Sequence, residues 1–164
     1  MSEANDMGTG LKPREFTWVI ADSLATSERI GGHGFQHRRV RREEEIMWLV
    51  ESGITAVVSL LPGNQNLASY ENAGFNVFHE PIEEEYEPEA IDTVFATLSK
   101  ALASPEARVL IHRDLVDDTV AGVLAGYLMH SGLVDDQIIA AAVIQEIIGR
   151  PLGPEGRSLI PSTA

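Results

Sequence analysis

Residues 111–129 read IHRDLVDDTVAGVLAGYLM, and they join a short apolar strand to a long apolar helix. The strand is predicted over residues 108–112 and the helix over residues 120–131. Asp117 or Asp118 lies where a side chain caps the first turn of such a helix. In an α/β fold, a strand that leads directly into a buried helix marks the usual ligand position, outside the carboxyl end of the sheet.

The same alternation of strands and helices extends in both directions from this segment. Short β-branched or apolar runs predict further strands at residues 16–20, 23–26, 55–61 and 75–79. Apolar residues at helical spacing predict helices at residues 41–52, 67–73, 88–103 and 135–148. A glycine-rich loop is expected at residues 31–34 and an acidic loop at residues 81–88. We therefore predict an α/β sandwich in which helices flank a mostly parallel central sheet of about four or five strands.

One domain is the simplest organisation for the 164 residues, because the sequence contains no internal repeat and no low-complexity linker. Residues 1–14 are expected to form a flexible lead, and residues 15–164 the domain. The lead is polar and acidic, without the basic start and apolar core of a signal peptide. The longest apolar run, residues 120–129, is about half as long as a membrane span. We expect a cytoplasmic protein with no membrane partner.

Charge and composition exclude several functions. The net charge of −13 argues against nucleic acid as a partner. Arginines cluster at residues 38–42, but three glutamates follow directly at residues 43–45, which is typical of a solvated helix start. The chain contains no cysteine, so it has no disulfide, no thiolate metal site and no thiol nucleophile.

The segment from His112 to Leu128 resembles the phosphate loop of the protein tyrosine and dual-specificity phosphatases. In that family a strand is followed by His-Cys, five residues, Arg, Ser or Thr, and a helix that often ends in Tyr-Leu. Residues 16–25, 53–60, 81–88 and 150–151 are similar, in the same order, to other pieces of the small atypical dual-specificity enzymes. The resemblance spans residues 15–155 and implies a cysteine-phosphatase-like fold.

The chain departs from the family at the positions that carry its chemistry. The positions that match the family's cysteine, one glycine and the arginine hold, in that order, Arg113, Val116 and Thr119. Arginine stays protonated and is no nucleophile, valine resists a positive φ, and threonine offers no charge. Glu84 is the closest counterpart of the family's aspartate acid, with Glu83 as the alternative, but neither has a nucleophile to assist. The phosphatase-like fold that the resemblance implies, together with these departures, predicts a pseudophosphatase with no catalytic residue and no cofactor.

Asp114, Asp117 and Asp118 fill the former phosphate site with carboxylates, which would repel a phosphate. We expect this former active site to bind a protein partner, for example through a basic segment of that partner. His112 is expected to orient the loop backbone. The candidate binding residues are His112, Arg113, Asp114, Asp117, Asp118, Glu83, Glu84 and Glu85.

Two other functions stay open. Asp114, Asp117 and Asp118, with the acid-loop glutamates, could hold Mg²⁺ or Ca²⁺ in a metal-dependent phosphoester hydrolase, although no EF-hand or paired-histidine spacing supports this. Alternatively, the protein could be a structural subunit of a homo- or hetero-oligomer, because the helix at residues 138–148 is apolar on most of its surface and could form the contact face.

His-Arg-Asp-Leu at residues 112–115 also matches a protein-kinase catalytic loop, but the other kinase motifs are missing.

Overall fold

The computed structural model describes residues 10–162, which form five short strands and six helices. The strands are β1 (Thr17–Ile20), β2 (Leu24–Ser27), β3 (Ala56–Ser59), β4 (Asn76–His79) and β5 (Val109–His112). The helices are α1 (Arg39–Glu51), α2 (Leu67–Asn72), α3 (Pro88–Ala101), α4 (Asp118–His130), α5 (Gln137–Ile148) and α6 (Pro154–Ser158). A single 3₁₀ turn covers Gly34–Gln36.

The strands form one sheet in the order β1-β2-β5-β3-β4. β1 is antiparallel to β2, and the pairs β2–β5, β5–β3 and β3–β4 are all parallel. β2, β3 and β5 are buried along their whole length, which is why their sequences are continuous apolar or small runs. The predicted α/β sandwich with a mostly parallel sheet is confirmed.

The two faces of the sheet carry separate apolar cores because successive strand residues point to opposite sides. On one face, Val57 and Leu110 pack with Leu49 of α1. On the other, Val58 and Ile111 pack with residues of α3, α4 and α5. Every residue from Thr119 to Leu128 is buried, so α4 is apolar all round because it lies between the sheet and other helices.

α6 has no counterpart among the predicted elements, because residues 149–156 contain three glycines and two prolines and are typical of a loop. It packs closely on α4 at Gly122, where a Cβ would lie 2.6 Å from the Cα of Gly156. This close approach brings Glu155 of α6 towards the carboxyl edge of the sheet.

The expected flexible lead falls mostly on residues 1–9, which lie outside the described residues. In the described part of that segment, the Leu11 amide donates to the Glu44 carbonyl over 3.0 Å, and Lys12 Nζ lies 6.0 Å from the centre of the Trp48 ring. The single domain stays a prediction. No helix within residues 10–162 has the length and apolar character needed to cross a membrane.

Candidate functional site

The loops that follow β3, β4 and β5 surround a pocket of about 540 Å³ at the carboxyl edge of the sheet. Because parallel strands end at the same edge, residues far apart in sequence meet there. Five carboxylates and one guanidinium line it, with apolar and hydroxyl groups between them. The lining residues are Leu61, Pro62, Glu83, Glu84, Tyr86, Arg113, Asp114, Leu115, Asp117, Thr119 and Glu155.

Arg113 reaches inward from the end of β5. Its Nη2 donates to the Ile82 carbonyl over 2.9 Å, and its Nη1 lies 3.4 Å from Asp117 Oδ2. The side chain is 16% exposed. A cation therefore occupies the position that matches the family's nucleophile, and it ties the segment after β5 to the acid loop. Because both contacts use the same guanidinium, much of its donor capacity is already engaged.

Asp117 has two structural bonds. Its Oδ1 accepts from the Val120 amide over 3.0 Å, which caps α4, while its Oδ2 faces Arg113. A carboxylate at a helix N-terminus is stabilised there by the helix dipole. Of the two predicted caps, Asp117 is the one that the structure places at α4.

Asp118 turns away from the pocket. Its Oδ1 accepts from the Gly153 amide and its Oδ2 from the Gly156 amide, each over 2.7 Å. The carboxylate thus holds the start of α6 against the start of α4. The structure brings Asp114, Asp117, Glu83 and Glu84 to one pocket, but Asp118 does not line it.

His112 lies behind the pocket, fully buried, and does not line it. Its Nδ1 is 3.0 Å from the Arg113 carbonyl, so Nδ1 carries the hydrogen, since a carbonyl can only accept. The Tyr70 hydroxyl, 2.9 Å away, then donates to Nε2. Asn66 Nδ2 donates to the Tyr70 hydroxyl over 3.4 Å and to the Ile30 carbonyl over 2.8 Å. This buried chain of hydrogen bonds fixes the backbone where the loop leaves β5.

Burial lowers the pKa of His112 to about 4, although the hydrogen bond to the Arg113 carbonyl acts in the opposite direction. The imidazole is neutral at physiological pH as a result. Burial also raises the pKa of the Tyr70 hydroxyl well above its usual value, so that it remains a donor. Neither group is available to a ligand in the pocket.

The loop between β5 and α4 takes an ordinary backbone conformation. Within residues 10–162 the non-glycine residues with positive φ are Glu15, Asp22 and Asn66, and none of them lies in this loop. Val116, at the position of the family's glycine, is buried, and its carbonyl accepts a hydrogen bond from Arg150 Nη2. Thr119, at the position of the family's arginine, is buried as the first turn of α4 begins and contributes to the pocket lining.

The acid loop contributes unequally to the pocket. Glu83 and Glu84 line it, whereas Glu85 is exposed and does not. Sequence patterns gave no signal for Tyr86, which lies among the glutamates of the acid loop, or for Glu155, which arrives on the unpredicted helix α6. Burial, followed by the Glu155 carboxylate, raises the pKa of the Tyr86 hydroxyl.

The three aspartates considered as metal ligands do not converge. Asp114 Oδ1 lies 3.6 Å from Arg29 Nη1, while Asp117 faces Arg113 and Asp118 faces two amides. In the described part of the chain, no group of three or more His, Cys, Asp or Glu side chains has a metal-binding arrangement.

The fold is that of the protein tyrosine and dual-specificity phosphatases. The structure is similar to the kinase-associated phosphatase KAP with its catalytic-site cysteine replaced by serine, at a TM-score of 0.71 and 16% identity, covering 90% of this chain and 92% of that one. It is similar to Tk-PTP in its active form, at a TM-score of 0.69 and 18% identity, covering 88% and 92%. For human DUSP28 the TM-score is 0.63 at 17% identity, covering 91% and 92%.

These identities show a common fold alone. The sequence matches no protein-family model and no curated protein. The cysteine that the KAP structure names as catalytic has no counterpart in this chain, which contains none.

Proposed function

We propose that this protein is a pseudophosphatase, which binds a protein partner through the acidic pocket and does not hydrolyse phosphoesters. The observation that carries the proposal is the position of Arg113. Its guanidinium stands where the resemblance expects a nucleophilic thiolate, and it is bonded to the acid loop and to Asp117. A group that stays protonated cannot attack phosphorus.

Electrostatics of the pocket also oppose a phosphate ligand. Five carboxylates line the pocket against one guanidinium. Like charges brought close together in a partly enclosed site repel strongly, and a phosphate would add to that repulsion. The family's phosphate-gripping arginine is replaced by Thr119, whose hydroxyl offers no compensating charge.

The same arrangement suits a cationic side chain from a protein partner. Glu83, Glu84 and Asp114 are exposed, while Leu61 and Leu115 give the pocket apolar walls. An arginine or lysine has an apolar stem and a charged head, so it can use both kinds of surface. The Tyr86 ring adds an aromatic face, against which a guanidinium can pack. The net charge of −13 favours fast association with a basic partner.

A peptide titration tests this function. A short arginine peptide, labelled with a fluorophore, should bind the wild-type protein, and its affinity should fall as salt rises. Glu83→Gln combined with Glu84→Gln should weaken binding at least tenfold. A matched control, Glu51→Gln combined with Glu71→Gln, removes two exposed charges outside the pocket and should bind like the wild type. Equal affinity for all three proteins would refute the pocket as the docking site.

A further inference from the structure

Phe35 is completely exposed, at the tip of a loop whose backbone is nevertheless well held. The Gln36 amide donates to the His33 carbonyl over 3.0 Å, and the Arg38 amide to the Gly31 carbonyl over 2.9 Å. Arg38 Nη1 also donates to the Phe35 carbonyl over 2.7 Å. A large aromatic side chain that an ordered backbone presents to solvent can serve as the anchor of a protein interface.

Exposed basic and apolar residues lie shortly after Phe35 in the chain. Arg38 and Arg39 are exposed, and Val40 is 67% exposed. We call Phe35, Arg38 and the first two residues of α1, Arg39 and Val40, the basic loop. Arg39 pairs with Glu43, at 3.0 Å between two exposed side chains, and such a pair contributes little and can be exchanged.

The basic loop and the acidic pocket lie on the same edge of the molecule. The basic loop follows β2, and the pocket is built from the loops after β5, β3 and β4. The strand order β2-β5-β3-β4 therefore places positive charge on one flank of this edge, with the pocket and the acid loop at its centre and opposite flank. Main-chain contact joins the segment after β2 to the segment after β5, because the Arg29 amide donates to the Asp114 carbonyl over 3.0 Å.

We propose that the partner of the acidic pocket is a second copy of this chain, whose basic loop enters the pocket while its own pocket receives the first copy's basic loop. This inference rests on the proposed function, since it names the partner of the same site. A two-fold axis that passes through this edge, normal to the plane of the sheet, lays each positive flank over the other copy's negative flank. Such an isologous interface needs a self-complementary surface, which this edge provides.

In the proposed dimer, the groups of the basic loop match the groups that line the partner's pocket. The Phe35 ring fits a pocket of about 540 Å³ with apolar walls at Leu61, Pro62 and Leu115. Arg38 and Arg39 then face the carboxylates of Glu83 and Glu84. The net charge of −13 opposes association of two copies, but charges farther apart than about 8 Å are largely screened at physiological salt, so the local pairs decide.

A charge exchange tests the inference by sedimentation equilibrium. The wild type should show a concentration-dependent dimer mass. Arg38→Glu with Arg39→Glu, and separately Glu83→Arg with Glu84→Arg, should each be monomeric, because each pairs like charges in both halves of its own dimer. Mixing these two variants should restore a dimer, since both halves of the mixed interface then pair opposite charges. Lys100→Glu with Glu71→Arg, outside both surfaces, should dimerise like the wild type.

Phe35→Ala supplies a second variant that has no packing to lose within the monomer. It should weaken dimerisation roughly tenfold or more, as removal of an aromatic anchor does. A wild type that stays monomeric, or a mixture that stays monomeric, would overturn the inference. If the wild type is monomeric yet still binds the arginine peptide through Glu83 and Glu84, the dimer is wrong and the proposed function stands. If it neither dimerises nor binds the peptide, both are wrong.

Discussion

Two acidic segments meet at the pocket, and they hold their carboxylates in opposite ways. After β5, Asp117 and Asp118 accept main-chain hydrogen bonds that begin α4 and anchor α6. In the acid loop, Glu83 and Glu84 are exposed, and within residues 10–162 they form no hydrogen bond or ion pair. The same chemical group therefore stabilises the fold in one segment and is available to a ligand in the other. The resemblance to a phosphatase placed both in one site, and only the contacts separate them.

Replacement of Asp118 should give the largest loss of stability. Asp118→Ala leaves the amides of Gly153 and Gly156 without their acceptor and loosens α6 from α4. We expect the free energy of unfolding to fall by roughly 2–4 kcal/mol, as measured by urea denaturation. A loss below about 0.5 kcal/mol is typical of an ordinary surface substitution. Such a result would show that Asp118, like Glu83 and Glu84, does not stabilise the fold.

His112 should make stability depend on pH in a window set by its two pKa values. Its pKa is about 4 in the folded protein and about 6.5 in the unfolded chain, so the unfolded chain binds more protons between these limits. Stability is complete above pH 6.5 and falls as the pH drops towards 4, by up to about 3 kcal/mol. Urea unfolding at pH 7.5 and pH 5 should therefore differ less in His112→Gln than in the wild type. His130→Gln, an exposed control, should keep the wild-type difference.

Arg113→Met should lower the stability of the protein moderately but raise its affinity for the arginine peptide. It removes the bond to the Ile82 carbonyl, so amide hydrogen exchange across residues 81–88 should become faster, with a loss of about 1–2 kcal/mol. It also removes the one cation that lines the pocket, so the arginine peptide should bind about threefold to tenfold more tightly. Weaker binding would contradict this and show that Arg113 assists the partner by holding the acid loop in position.

Glu84→Gln should have the smallest effect on stability. Glu84 is exposed and close to other carboxylates, so we expect the free energy of unfolding to change by less than about 0.5 kcal/mol. Peptide affinity should nevertheless fall. A marked loss of stability would mean that the acid loop is as structural as the segment after β5, and the contrast between the two would disappear.

The sequence predicted the sheet and most helices because their apolar patterns follow directly from burial. Val57 and Val58 alternate between two cores, and α4 is apolar all round because it is enclosed. The sequence could not distinguish the role of Asp117 from that of Asp118, because the two residues are adjacent and chemically identical. Their roles depend on where α6 packs, and α6 lies in a region rich in glycine and proline. Nor could it place Glu155 in the pocket, since that position is set by tertiary contact.

Phosphotyrosine tests the central claim most directly, through the melting temperature of the protein at fixed ionic strength. A ligand at a hundred times its dissociation constant adds about 2.7 kcal/mol of stability. At this size that is roughly 5–11 °C. We predict that phosphate and phosphotyrosine give no shift, while the arginine peptide raises the melting temperature within that range. A rise with phosphotyrosine would contradict the account, because it would show that the anion site survives beside Arg113.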